Sequence, residues 1–176
     1  MDFTFVSGNV ALDFAGTVTS RRTDPVQLLT APADLARWVT AAGLVDEAPN
    51  VDAQAFADAL ELRELIYRLA CQARDGEPYT GLEKLNAQAE RQPITVALDI
   101  DGALEKAGDL DAVLTTVSRA AVELLARPLA HEVHECGGET CTRLYIDNSR
   151  RGARRWCDMR ACGNRAKASQ YRARHS

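Results

Sequence analysis

The chain has 176 residues and a mass of 19.2 kDa, with 46% of its residues hydrophobic and 26% charged. This is the balance of one folded domain, or of a domain with a small appendage, and it excludes a disordered chain. Apolar runs are broken by charge within about ten residues, short of the ~20 that a bilayer span requires. The opening has neither a basic segment nor a long apolar one, so a cytoplasmic protein with no membrane anchor is expected. The net charge of −4 hides a division. Residues 1–131 carry 11 Lys and Arg against 20 Asp and Glu, a balance of −9, whereas residues 132–176 carry 10 against 5, a balance of +5. An acidic body precedes a basic tail.

Residues 3–19 set Phe, Val and Thr around Ser7-Gly8-Asn9, which predicts a β-hairpin with Phe3, Phe5, Val10, Leu12 and Phe14 on its strands. Thr30 is placed to cap a helix that has Pro32 in its first turn, Leu35, Trp38 and Val39 facing inward, and Gly43 as its stop. From Asp52 to Arg74 the residues Ala55, Ala59, Leu62, Ile66, Leu69 and Ala73 draw one apolar stripe along a long helix ending at Asp75-Gly76. Thr80 and Glu83 have the spacing of a capping box before a short helix bearing Leu82 and Leu85. Ile94, Val96, Leu98 and Ile100 alternate with polar or small residues, the period of a strand able to pair with the opening hairpin. Asp109 to Ala126 returns to helix, and Pro128 ends it, so the domain boundary is expected at Arg127-Pro128. The fold class that results is α+β: a mostly helical N-terminal domain with a small antiparallel sheet over residues 1–127, then a cysteine module over 128–176.

Cys71 stands alone in the body and reads as a small buried side chain, whereas Cys136, Cys141, Cys157 and Cys162 fall within 27 residues of the basic tail. An odd count in a chain expected in the reducing cytosol disfavours disulfides and favours metal. Each pair is separated by four residues, a spacing that brings two thiolates to one tetrahedral Zn²⁺. Four thiolates leave no position for water, so the expected cofactor is one structural zinc; His131 and His134 are the alternative ligands. The strand-forming Leu144-Tyr145-Ile146-Asp147 between the pairs and a helix over Arg160–Arg174 suggest the layout of a treble-clef finger. No nucleophile, base and orienting group can be assembled from the spacing, and there is no Gly-rich phosphate loop, so an enzyme is not expected.

The stretch Cys136-Gly-Gly-Glu-Thr-Cys141, Leu-Tyr-Ile-Asp-Asn-Ser149, Arg154-Arg-Trp-Cys157 and Cys162-Gly-Asn-Arg165-Ala-Lys167 resembles the CGNR zinc-finger family of bacterial proteins. Ala11-Leu12-Asp13-Phe14, Leu28-Leu29 and Asp34-Leu35-Ala36-Arg37-Trp38 before Gly43-Leu44 resemble the ABATE domain that accompanies this finger. The resemblance touches most of the chain, residues 45–105 being supported by their helical pattern alone. It implies a transcription regulator linked to stress responses, with a sensing N-terminal domain and a DNA-binding finger. The chain departs from the family pattern at Gly16, where an asparagine is expected after Leu-Asp-Phe-x.

Arg150, Arg151, Arg154, Arg155, Arg165, Lys167, Arg172 and Arg174 are the expected phosphate contacts, since clustered cations supply most of the affinity for DNA. Two or three of them are expected to serve the zinc thiolates instead. Asn164 and Gln170 are the candidates for reading base edges, against the commoner role of capping backbone. Trp156 is expected to pack over the zinc core. Asp13, Thr17 and Arg22 suit the lining of a ligand site but more commonly serve turns, so no ligand-binding residue is assigned. The expected partners are DNA and an effector of unknown identity, with a homodimer left open; a protein-docking finger or an RNA binder is the alternative.

Overall fold

The computed structural model describes residues 3–126, 132–149 and 152–175. The expected boundary at Arg127-Pro128, the alternative ligand His131, and Arg150 and Arg151 lie outside the described residues.

The opening segment is a helix where a hairpin was expected. Asn9 is extended and its side-chain oxygen accepts a hydrogen bond from the Ala11 N–H at 2.8 Å, starting α1 (Val10–Ala15). Ala11 through Ala15 are all buried, and a six-residue helix buried all round carries no amphipathic period that distinguishes it from a strand. The first strands are two residues each, β1 (Val18–Thr19) paired antiparallel with β2 (Val26–Gln27).

Helix α2 (Pro32–Ala41) has Ala31 as its N-cap, one residue later than the Thr30 expected. Asp34, rather than Thr30, satisfies the first turn: its carboxylate accepts from the Thr30 N–H at 2.8 Å, the Thr30 hydroxyl at 2.7 Å and the Ala31 N–H at 3.0 Å. Helix α3 (Ala53–Asp75) is capped by Asp52, whose side chain accepts from Ala55 N–H, and ends at Gly76 in the left-handed region. The Thr80–Glu83 capping box does not form: α4 (Leu82–Ala89) starts at Gly81, φ 86°, and the Thr80 hydroxyl accepts instead from Gln72 Nε2 on α3. Helix α5 (Leu110–Leu125) is capped by Asp109, as its pattern predicts.

The alternating segment is β3 (Thr95–Leu98), but it pairs with β4 (Leu104–Ala107), not with the opening of the chain. Strand β5 (Val133–Glu135) pairs antiparallel with β6 (Leu144–Ile146), and the first cysteine pair forms the turn between them. After Cys157 a single π-helical turn, Met159–Gly163, runs straight into α6 (Asn164–His175). A hairpin was expected after the knuckle, but the knuckle is itself the turn of the β5–β6 hairpin; the second cysteine pair leads into a helix as expected. The architecture is α+β, mostly helical with small antiparallel sheets, followed by a zinc finger.

The main core gathers Phe14 of α1, Trp38 and Val39 of α2, Ile66 and Leu69 of α3, Leu85 of α4 and Val113 and Val117 of α5. The Phe14 and Trp38 rings meet with centroids 4.9 Å apart. A second cluster joins Leu12, Ala70 and Leu124 of the body to Val133 and Leu144 of the β5–β6 hairpin. Cys71 packs at its edge, half-buried, with burial pushing its thiol pKa up, the state of an inert side chain. None of the described helices is long and apolar enough to cross a membrane.

Candidate metal centre and basic face

Cys136 leaves β5 directly, Cys141 stands three residues before β6 begins, Cys157 precedes the π-helical turn and Cys162 lies inside it. Their four sulfurs all lie within 4.8 Å of one another. The Cys141–Cys157 and Cys157–Cys162 separations are 3.8 and 3.7 Å. The edge of a tetrahedron with Zn–S of about 2.3 Å is about 3.8 Å, so these residues fit one four-coordinate zinc. His134 is exposed beside the Tyr145 ring and is not among the side chains that gather around the four sulfurs. The chain thus carries one structural Zn²⁺.

Local backbone shapes this pocket. A Cβ on Gly138 would sit 3.0 Å from the Cys141 Cβ and 3.5 Å from the Cys162 sulfur, so a side chain there would press on the knuckle and glycine fits it best. The Gly137 N–H donates to the Arg155 carbonyl at 2.9 Å, binding the knuckle to the second cysteine pair. The Cys157 N–H donates to Cys136 Sγ at 3.3 Å. Hydrogen bonds from the Cys141 and Cys157 thiols, with that N–H, hold the Cys136 thiol far below the ordinary range, while burial pushes Cys162 up to about 12. Metal binding must expel the protons that these thiols carry. Trp156 is partly buried against the cysteine cluster, the packing role expected of it.

Two arginines of the finger turn inward. Arg143 is buried and donates to the carbonyls of Thr4 at 3.1 Å and Gly16 at 3.3 Å, with the Asp13 carboxylate 3.8 Å away. Arg154 stacks on the Tyr145 ring, 4.4 Å from its centroid. Its guanidinium donates to the carbonyls of Val6 at 2.8 Å, Trp156 at 3.0 Å, Ile146 at 3.3 Å and Cys157. Arg154 thus clasps the zinc loop to the start of the body.

Around this clasp the body and finger share a polar seam. The Asp13 carboxylate accepts from the Val6 and Ser7 N–H groups, and burial raises its pKa against the opposing pull of those bonds and of Arg143. The Ile146 N–H donates to the Ser7 carbonyl at 2.8 Å, and Glu135 pairs with both Arg22 and Arg74. Arg63 reaches the Thr17 hydroxyl at 3.3 Å. Asp13, Thr17 and Arg22, considered as ligand linings, therefore have structural partners. Arg143 was counted in the basic tail without a role; the signal for its role is a lone arginine inside an apolar strand start, Thr142-Arg143-Leu144, matched by an aspartate inside Leu12-Asp13-Phe14.

The outer surface is different. Arg155 is exposed beside Trp156, its guanidinium 5.2 Å from the ring centroid. Arg165, with Trp156 and Gln170, lines a hollow between α6 and the knuckle. Lys167, Arg172 and Arg174 are exposed on α6, as is Arg160 on the turn before it, a cation outside the expected set. Asn164 donates through Nδ2 to the Arg160 carbonyl at 3.1 Å, the backbone-capping geometry.

A protein-family model described as "ABATE: Putative stress-induced transcription regulator" matches residues 8–128, and the CGNR zinc-finger model matches residues 132–175. No curated protein matches the chain. With the first of these models covering more than half its length and the second coinciding with the four-cysteine centre, the chain belongs to the ABATE family of stress-linked regulators and ends in a CGNR zinc finger.

Proposed function

We propose that this regulator acts by binding duplex DNA through the outer face of its zinc finger. The observation that supports this reading is the outward set Arg155, Arg160, Arg165, Lys167 and Arg174, none of which forms an ion pair with an acid among the described residues. Five cations displayed around one rigid centre displace condensed counterions from a phosphate backbone, which is the main source of affinity for DNA. Arg150, Arg151 and Arg172 belong to the same basic stretch and complete the proposed set. Arg154 is left out of it, because its guanidinium is spent on four carbonyls. Gln170, exposed on α6, remains as a reader of base edges, whereas Asn164 serves the helix backbone. The body senses an effector or a state of the cell and passes it to the finger through the seam they share.

The test is the salt dependence of duplex binding by the zinc-loaded full-length protein, compared with a variant carrying Arg155→Gln, Arg165→Gln and Lys167→Gln. Each phosphate contact contributes about 0.9 to the slope of log K against log salt, so the triple variant should lose up to about three units of slope on every duplex alike. Zinc content of one per chain in the variant controls for folding. An unchanged slope overturns the reading, as does tighter binding to single-stranded RNA that is lost on Trp156→Ala.

A further inference from the structure

We propose that the open edge of β3 is the two-fold interface of a homodimer. The β3–β4 ribbon is a separate two-stranded sheet, and such a ribbon is marginal in water when left alone. One of its faces carries Val96, Leu98 and Leu104, which are 61%, 72% and 55% exposed, with Ile100 wholly exposed at the turn. Clustered exposed apolar side chains of this kind mark an interaction surface.

The hydrogen-bond pattern identifies which edge is open. The register pairs Val96 with Lys106 and Leu98 with Leu104. The Lys106 N–H donates to the Asp46 carboxylate at 2.8 Å, and the Lys106 carbonyl accepts from the Asp46 N–H at 3.0 Å. Lys106 therefore faces away from β3, which makes Val96–Lys106 and, two residues on, Leu98–Leu104 non-hydrogen-bonded pairs. The outer edge of β4 is closed by Asp46. On β3 the N–H and C=O of Val96 and Leu98 point outward, and no described group accepts or donates to them. Natural edges are protected by lysine, proline or a bulge, and Thr95-Val-Ala-Leu98 has none of these.

This edge is complementary to itself. A two-fold axis through Ala97 sets Val96 opposite Leu98 of the second copy and Leu98 opposite its Val96. Each such pair exchanges two hydrogen bonds, so all four outward groups on each copy are satisfied. Ala97 then faces itself in the closely spaced position, where a small side chain fits. Two rows of Leu104, Leu98, Val96 and Lys106 run across the resulting four-stranded sheet and turn two small apolar patches into one. No like charges oppose each other in this register.

The mass of the zinc-loaded full-length chain, measured by light scattering over a concentration series, tests this. The expected result is a rise toward twice 19.2 kDa. Ala97→Lys and Ala97→Glu each place like charges on the axis and should weaken the dimer about fivefold, while an equimolar mixture of the two should restore it. Leu98→Pro, which removes an outward N–H and the Leu98 side chain but no hydrogen bond between β3 and β4, should weaken it about tenfold with an unchanged circular dichroism spectrum. A monomer at every concentration, or a wild-type dimer constant in Ala97→Lys, overturns the proposal.

Discussion

At residue 16 a single missing Cβ decides whether body and finger fit together. Gly16 has ordinary helical backbone angles, so its value lies in space rather than in conformational freedom. A Cβ there would lie 2.6 Å from Arg143 Nη1 and 3.1 Å from its Cζ, and Arg143 cannot retreat without giving up Thr4, Gly16 and Asp13 together. Gly16→Ala should therefore cost about 2 kcal/mol in urea denaturation, the scale of a lost charge-assisted hydrogen bond in a buried setting. Gly163 gives the contrast: its added Cβ would meet the Met159 sulfur at 2.5 Å, but Met159 is exposed and free to swing away. Gly163→Ala should cost less than half as much; equal losses would show that Arg143 is not what constrains Gly16. The departure from the family pattern at this position thus has a local meaning, because an asparagine at residue 16 would require Arg143 to lie elsewhere.

Helices carry the next scale, and their ends hold information that their apolar stripes do not. Asp34 accepts three hydrogen bonds at the start of α2 and one from Arg37, which hold its carboxyl far below the usual carboxylate range. A depressed folded pKa stabilises the protein above the ordinary value near 3.8 and stops doing so as pH falls through the folded one. Asp34→Ala should accordingly cost about 1 kcal/mol at neutral pH, typical of a lost N-terminal cap, and the gap from wild type should narrow in acid. A gap independent of pH would assign the loss to helix packing instead. The long helices α3 and α5 were legible in the sequence because stripe, cap and stop agree over many residues. The shorter elements were not: α1 is too short and too buried to show a period, and Thr80-Glu83 has the spacing of a cap whose hydroxyl is claimed by Gln72 across the turn. Strand β3 was found from its alternation, but its partner depends on a turn at Asp99–Gly102 that places β4 beside it. The four zinc ligands were legible in full from spacing, while the inward turn of Arg143 and Arg154 was not, since their partners are carbonyls that any sequence supplies.

On the scale of the whole molecule the finger has two kinds of support, and removing zinc separates them. Helix α6 has no buried described side chain, and an isolated helix of its length is marginal in water. It is held through Cys157, Cys162 and the turn between them, and so by the metal. Strands β5 and β6 have Val133 and Leu144 in a core shared with Leu12, Ala70 and Leu124, and Arg143 anchored on Thr4 and Gly16, none of which involves zinc. Chelation should therefore abolish amide-exchange protection in residues 152–175 and leave it in α1–α5 and in β5–β6. The same loss should follow acidification, since each sulfur must be deprotonated to bind zinc. Loss of β5–β6 protection in step with α6 would mean that the finger folds as a unit of its own. Retention of β5–β6 would make the hairpin part of the body, a fixed mount from which zinc holds out the basic helix, so that any change in the body that moves Arg143 or Asp13 reaches the helix through the knuckle at its other end.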